Sequence, residues 1–390
     1  MNKSDLKRDR FMLTGALGKK GYDWWWHNFT GYHRKTGEAK AFFIEYFVCN
    51  PKLGQDYPVL GQLPEHQAAG VRPSYAMLKA GTWGKDARQI HNFYPISQFS
   101  YSNKQLNIKI GASLLTEQRI KGRVKVTKEQ AKYHPEYMSD AGEMSWNLAI
   151  HKKVAYHAGY GASAPFRWLH AFEMFWHAEG IKAEYSGEVI LDGEAYDVIE
   201  DRSYGYADKN WGADFTSPWL WISSSNMKSM TTGKALTNSA VEFGGGKPKV
   251  WGYSLNRKLL GGFYYEGKMY DYNFSKFWTG SRVDFKFQEG TRYHTWKIRA
   301  QNHTSLLELT LRCKADEMLL INYEAPNGKK LHNRLWNGGT GYGTIRLYHK
   351  KGKEKVLIDH IEFKNAGCEY GEYGNHDKYG ENKESGQYEA

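Results

Sequence analysis

The chain has little cysteine: Cys49, Cys313 and Cys368 are its three, odd in number and far apart. No two have the spacing of a metal knuckle or a redox motif, which excludes a disulfide framework and fits a reducing compartment. Long apolar runs are also missing. No stretch reaches the ~18 residues of a membrane span, and Met1 to Arg10 lacks the apolar centre of a signal peptide. The expectation is a cytoplasmic protein without a transmembrane segment. Nucleotide motifs fail on spacing: Gly15 to Gly21 is no phosphate loop, and the glycines from Gly338 to Gly343 open no helix of a βαβ unit. No serine sits in a nucleophile elbow, and the 15 histidines form no helical metal-ligand grouping, so neither a cofactor nor a metal is expected. Lys and Arg exceed Asp and Glu by 54 to 42, but the excess is spread along the chain without a dense basic run. A solvated basic surface is therefore expected, and no nucleic-acid partner.

Aromatic residues are abundant, with 28 Tyr and 14 Trp. These residues favour strands and line pockets for flat apolar ligands. Period-two alternation runs along the chain, as in Val283, Phe285 and Phe287 between Arg282, Asp284 and Lys286; it returns in Trp296–Ala300 and again in Leu307–Cys313, predicting a meander. Asp192-Gly193 and Gly267 mark hairpins, and Thr127 to Tyr133 has the capping-box spacing of one short surface helix. The fold class is all-β. At 390 residues two domains are expected, divided at Gly244-Gly245-Gly246-Lys247-Pro248. That gives a lead segment over 1–20, a β-sandwich-like domain over 21–243, a smaller β-barrel over 249–368 and a polar, flexible tail over 369–390.

The densest chemistry lies between residues 204 and 226. Asp208 stands among Tyr204, Tyr206, Trp211, Trp219 and Trp221, an aromatic setting in which desolvation raises a carboxyl pKa. Two roles are open to it: an ionised carboxylate that fixes a bend, or a general acid. His177, thirty-one residues earlier, either orients or reprotonates that acid or bonds a carbonyl at a strand end. Alternation turns Trp176 and His177 to opposite faces, so at most one of them faces a cavity with Asp208. Of Trp24, Trp25 and Trp26, two are expected in the core and one, Trp25 or Trp26, at a pocket. Trp219 and Trp221 share a face and either stack a planar ligand or pack the core. Glu45, amid Phe42, Phe43, Ile44, Tyr46 and Phe47, is a second candidate buried acid.

The run Tyr206-Ala207-Asp208-Lys209-Asn210-Trp211-Gly212, followed by Phe215, Pro218-Trp219-Leu220-Trp221 and Asn226, resembles the tocopherol cyclase family. Asp208 stands where the plant cyclases have Glu, as in the similar carotenoid 1,2-hydratases of the same lipocalin-like superfamily. Weaker similarity covers about residues 20–365, including Trp24–Phe29, Ala41–Phe47, Phe172–His177 and Arg334-Leu335-Trp336. The resemblance implies a two-domain lipocalin-like architecture holding a hydrophobic small-molecule substrate, aromatic, prenylated or polyene, between its domains. It implies Asp208 as proton donor, and Tyr206 and His177 are the candidates to assist it. Trp25, Trp26, Glu45, Trp176, Trp211, Trp219, Trp221, Asn226 and Trp336 are the candidate substrate-binding residues. Cyclisation, hydration, a pericyclic reaction guided by shape alone, or carriage of a hydrophobic metabolite without chemistry are the activities open to such a protein.

Overall fold

The computed structural model describes residues 3–61, 63–158, 168–169, 171–255, 258–329, 331–352 and 354–373. Strands dominate, and all the pairings between them are antiparallel. A 12-stranded sheet takes up the chain from Tyr22 to Gly212, and an 11-stranded sheet the chain from Trp219 to Glu372.

The first sheet curls over itself. Trp25, Phe29, Ile44 and Leu78 from its early strands pack with Leu115, Ile120, Val124, Met144 and Trp146 from its later ones, as in a sandwich. Tyr46 crosses this core and donates from its hydroxyl to the carbonyls of Leu114 (3.1 Å) and Lys121 (3.0 Å). The second sheet closes into a barrel around Leu220, Phe243, Phe263, Trp296, Ile298, Leu309, Ile345 and Ile361. A third apolar layer belongs to neither interior. It joins Trp26, Phe43, Phe47, Trp83, Trp176 and Tyr206 of the first sheet to Trp219, Trp221, Leu260, Tyr323 and Leu335 of the second.

The expected punctuation is present. Asp192 (φ 48°) and Gly193 (φ 87°) turn the hairpin closed by Leu191 and Glu194, and Glu266 (φ 43°) and Gly267 (φ 93°) turn the one closed by Tyr265 and Lys268. Positive φ at both central residues matches the right-handed twist of the flanking strands. Arg282–Gln288, Tyr293–Gln301 and Ser305–Lys314 form the meander, and Lys128–Tyr133 is a helix capped by Thr127.

Two readings change. The passage from one sheet to the other falls between Gly212 and Trp219, whereas the glycine run at 244–246 ends the Ala240–Gly246 strand inside the second sheet. There the glycines answer a packing need: a Cβ on Gly244 would lie 2.3 Å from the Trp176 indole. Glu369 to Glu372 likewise are not tail. They finish the strand Glu354–Glu372, with Glu369 paired to Trp221 and Asn337 and Gly371 to Trp219 and Leu335, so main-chain pairing holds them in place of aliphatic burial. The remainder of the expected tail, 374–390, lies outside the described residues.

Candidate active site

Asp208 sits in the middle of the strand Gly205–Gly212, which is paired with Tyr22–His33 on one side and Met174–Leu191 on the other. Alternation along this strand sends Tyr206 and Asp208 into the layer between the sheets and Ala207, Lys209 and Trp211 into the first sheet's own core. Trp176 donates its indole N–H to Asp208 Oδ2 at 2.7 Å, and the Tyr206 hydroxyl donates to the same oxygen at 3.2 Å. Trp221 in turn donates to the Tyr206 oxygen at 3.1 Å. Asp208 Oδ1 is buried and has no hydrogen-bond partner among the described residues. Burial pushes the Asp208 carboxyl up to about 8; the Trp176 and Tyr206 hydrogen bonds oppose the shift and the nearby Glu369 adds to it. The shift favours the neutral acid, and with two donors on Oδ2 the oxygen left to carry a proton is Oδ1.

Three further ionisable residues from other strands enter the same layer. Glu242, fully buried on Ala240–Gly246, stands beside Tyr206, and burial raises its pKa well above the ordinary value. Glu369 accepts from the Trp219 indole at Oε2 (2.9 Å) and from the Asn337 amide at Oε1. Burial lifts it to about 7 against those two hydrogen bonds. Lys79 pairs with Glu45 at 2.9 Å, lies 3.8 Å from the centre of the Tyr323 ring, and is drawn down from the usual lysine range by burial. Tyr323 also donates to Glu45, at 2.8 Å. None of Glu242, Glu369 and Lys79 stands out in the sequence. The sole available signal is a charged residue at an inward position of an alternating strand.

Of the residues singled out from the sequence, the layer brings together Asp208, Tyr206, Trp176, Trp219, Trp221, Trp26 and Glu45. Trp26 stacks on Phe43 with ring centres 5.2 Å apart. The others are elsewhere. Trp25 and Trp211 face the first sheet's core, the former with the Lys209 ammonium 4.0 Å from its ring and the latter stacked on Phe175. His177, one residue beyond Trp176, turns to that same far face, where it lies 3.1 Å from Asp9 and 3.5 Å from His157. Asn226 bonds Asn365 at 2.6 Å at the edge of the second sheet. Trp336 packs against the barrel core, with its indole on Glu289 (3.3 Å) and its ring against His294. Period two explains Trp25, Trp211 and His177: each is an odd step from a residue that faces the layer.

Two small clefts open in the layer. The outer one, about 60 Å³, is bordered by Met174, Trp176, Trp219, Gly245, Leu260 and Phe274; the inner one, about 10 Å³, by Trp24, Phe215, Trp219, Tyr323, Leu335 and Glu369. Met174, Thr216 and Trp219 line both. Trp176 and Trp219 meet edge to face, 5.8 Å between centres, and each holds one carboxyl by its N–H.

Donor atoms of Asp5, His157 and His177 approach within 4.8 Å of one another on the far face, a grouping that sequence spacing does not disclose because the three come from separate elements. The Arg8 guanidinium lies 3.1 Å from His157 Nδ1, so a positive charge already occupies that cluster.

No helix among the described residues is long and apolar enough to cross a membrane. The rice (Oryza sativa subsp. japonica) protein named "Probable tocopherol cyclase, chloroplastic" is 29% identical over 215 residues, covering 52% of this chain and 39% of that one. The chain thus spans well under two thirds of that relative's length. Among solved structures, kievitone hydratase from Nectria haematococca aligns with a TM-score of 0.43 at 12% identity over 93% of each chain. CghA aligns with a TM-score of 0.43 at 10% identity, over 92% of this chain and 90% of that one. Residues 64–372 match the family described as tocopherol cyclase-like, and with most of its length matched the chain belongs to that family.

Proposed function

We propose that the protein is a cyclase that protonates a carbon–carbon double bond of a hydrophobic, prenylated or polyene substrate held between its two β domains. The observation that carries this reading is the setting of Asp208: a buried carboxyl with both donors on Oδ2, an Oδ1 without a partner among the described residues, and a pKa that burial raises to about 8. Asp208 gives its proton to the alkene, a cation forms, and a hydroxyl of the same molecule closes on it. Such an addition involves no redox change and so calls for no redox cofactor. Tyr206 holds the carboxyl in place and, with the Trp176, Trp219 and Trp221 faces, surrounds the developing positive charge. His177 has no part in this chemistry, because the sheet stands between it and Asp208.

Clefts of about 60 and 10 Å³ are far smaller than the roughly 300 Å³ or more of a typical ligand pocket, so a substrate enters by displacing aromatic side chains, Trp176 and Trp219 first. The test is to incubate wild type and Asp208→Asn with lipophilic extracts and with a panel of prenylated hydroquinones and polyenes, and to read the products by mass. An isomer of equal mass made by wild type alone supports the cyclase. A product heavier by one water makes the enzyme a hydratase. A compound retained unchanged by both proteins makes it a carrier and ends the proposal.

A further inference from the structure

We infer that Glu369 is a second catalytic group, the base that takes the proton released when the nucleophile closes on the cation raised by Asp208. The inference rests on the acid-initiated reading above and adds the other half of its proton traffic.

Cyclisation consumes one proton at carbon and releases one from oxygen. The acid that gives the first has become a carboxylate, but it lies beside the carbon end of the new ring, and a second group is needed where the O–H bond breaks. Glu369 is placed for that. It is the carboxylate among the described residues that line the inner cleft, and the walls around it, Trp24, Phe215, Tyr323 and Leu335, are apolar or aromatic. On the barrel side it lies directly across from Trp221, whose indole reaches Tyr206 and so Asp208. The two edge-to-face indoles carry the two carboxyls on their N–H groups, Trp176 on Asp208 and Trp219 on Glu369. Glu369 lines the inner cleft, and a substrate that displaces the Trp176 ring removes the indole that stands on Asp208.

The surroundings also divide the two tasks. Each carboxyl has two neutral hydrogen-bond donors and feels the Glu45 charge, which favours its acid; at Glu369 the Lys79 ammonium acts against Glu45, whereas at Asp208 the Glu369 charge adds to it. Of two such carboxyls, the one with a cation in its field is the better placed to accept a proton and the one near anions to give it. The step balances. A C–H bond forms with the Asp208 proton, a C–O bond forms from the substrate oxygen lone pair, the O–H bond breaks, and its proton goes to Glu369. The product is an isomer of the substrate, and the pair resets when one proton passes from Glu369 back to Asp208.

The test uses the full chain and a synthetic prenylated hydroquinone in detergent micelles as probe, run in D2O. Wild type should give cyclised product carrying one deuterium at the protonated carbon. Glu369→Gln should lose about a hundredfold in turnover yet return unreacted probe enriched in deuterium, because Asp208 still protonates the alkene and takes a hydron back. Asp208→Asn should give neither product nor exchange. Glu369→Asp should recover part of the rate, and it replaces the glutamine variant if that one does not fold. The wild-type rate should rise as Glu369 ionises and fall as Asp208 ionises, and Glu369→Gln should lose the rising limb. Full turnover with an unchanged pH profile in Glu369→Gln overturns the inference while leaving the role of Asp208 intact; full turnover in Asp208→Asn overturns the reading beneath both. Independently of any probe, infrared titration should find Asp208 losing its proton at lower pH in Glu369→Gln, and an unmoved carboxyl band rejects the pairing.

Discussion

The two faces of the strand Gly205–Gly212 are both buried and both crowded with ionisable groups, but they handle charge in opposite ways. On the far face, toward the first sheet's core, acids meet cations. Asp23 pairs with Lys209, while Lys152 reaches Asp9 (3.2 Å), Glu117 (2.7 Å) and Glu179 (2.5 Å). Burial works to raise Asp9, but Lys152 and His177 outweigh it and hold the carboxyl at about 2. On the face toward the second sheet, Asp208, Glu242 and Glu369 meet indoles, a phenol and an amide, all neutral, while the Lys79 ammonium of that layer pairs with Glu45 and not with them. The lesson is that a cation supplies a countercharge that opposes burial, enough to hold Asp9 low although Asp23 still rises to about 6 and Glu117 to about 7, whereas neutral donors orient a buried carboxyl without supplying that countercharge. The first arrangement serves the fold, and the second suits the proposed chemistry.

Exchanging the roles of the two faces gives the largest expected effects. Asp208→Asn keeps the shape and the neutral charge of the protonated acid, so the protein should fold normally and lose turnover by about a thousandfold, equivalent to about 4 kcal/mol of barrier. Lys152→Met should do the reverse at the level of the fold. It strands Asp9 and Glu179, both fully buried, and should cost about 3–5 kcal/mol in urea unfolding. Equal stability loss in the two variants would dissolve the distinction between the faces.

A smaller effect is expected at the contact between the sheets. Gly244→Ala places a methyl where the Trp176 ring now lies and should cost about 1–3 kcal/mol, with a shift in tryptophan fluorescence as the indole moves. A pH slope is expected as well. The folded Asp208 titrates at about 8 against an ordinary value of 3.8, so its contribution to stability is complete below about pH 4 and is lost as the pH rises through 8. Wild type should therefore be less stable at pH 9 than at pH 5, and Asp208→Asn should narrow that gap. A gap unchanged by the substitution would mean that Asp208 is already ionised in the folded protein.

Much of the local structure was legible in the sequence because it rests on neighbours in the chain. Asp192-Gly193 specifies its turn, Thr127 caps its helix, and the alternation around Trp176 and His177 already separates the two residues onto opposite faces. Asp208, Tyr206 and Trp221 were legible from one dense run. Partners from distant strands were not. Glu242 and Glu369 read as ordinary acids until the barrel brings them against Tyr206 and Trp219, and Glu369 reads as the start of a polar tail because its neighbours lack aliphatic side chains. The glycines at 244–246 read as a linker for a related reason. A residue without a side chain signals freedom in sequence and close approach in space, and at Gly244 the approach is that of Trp176.

Trp176 and Trp219 are at once the walls of the clefts and part of the contact by which the two β domains adhere. On the proposed function a ligand that enters acts as a wedge: it gains contact with the indoles to the extent that the domains give up contact with each other. Its affinity is the difference between two adhesions, so a molecule too small to replace the lost contact should be excluded as firmly as one too large to fit, and product release should be drawn by the domains closing again.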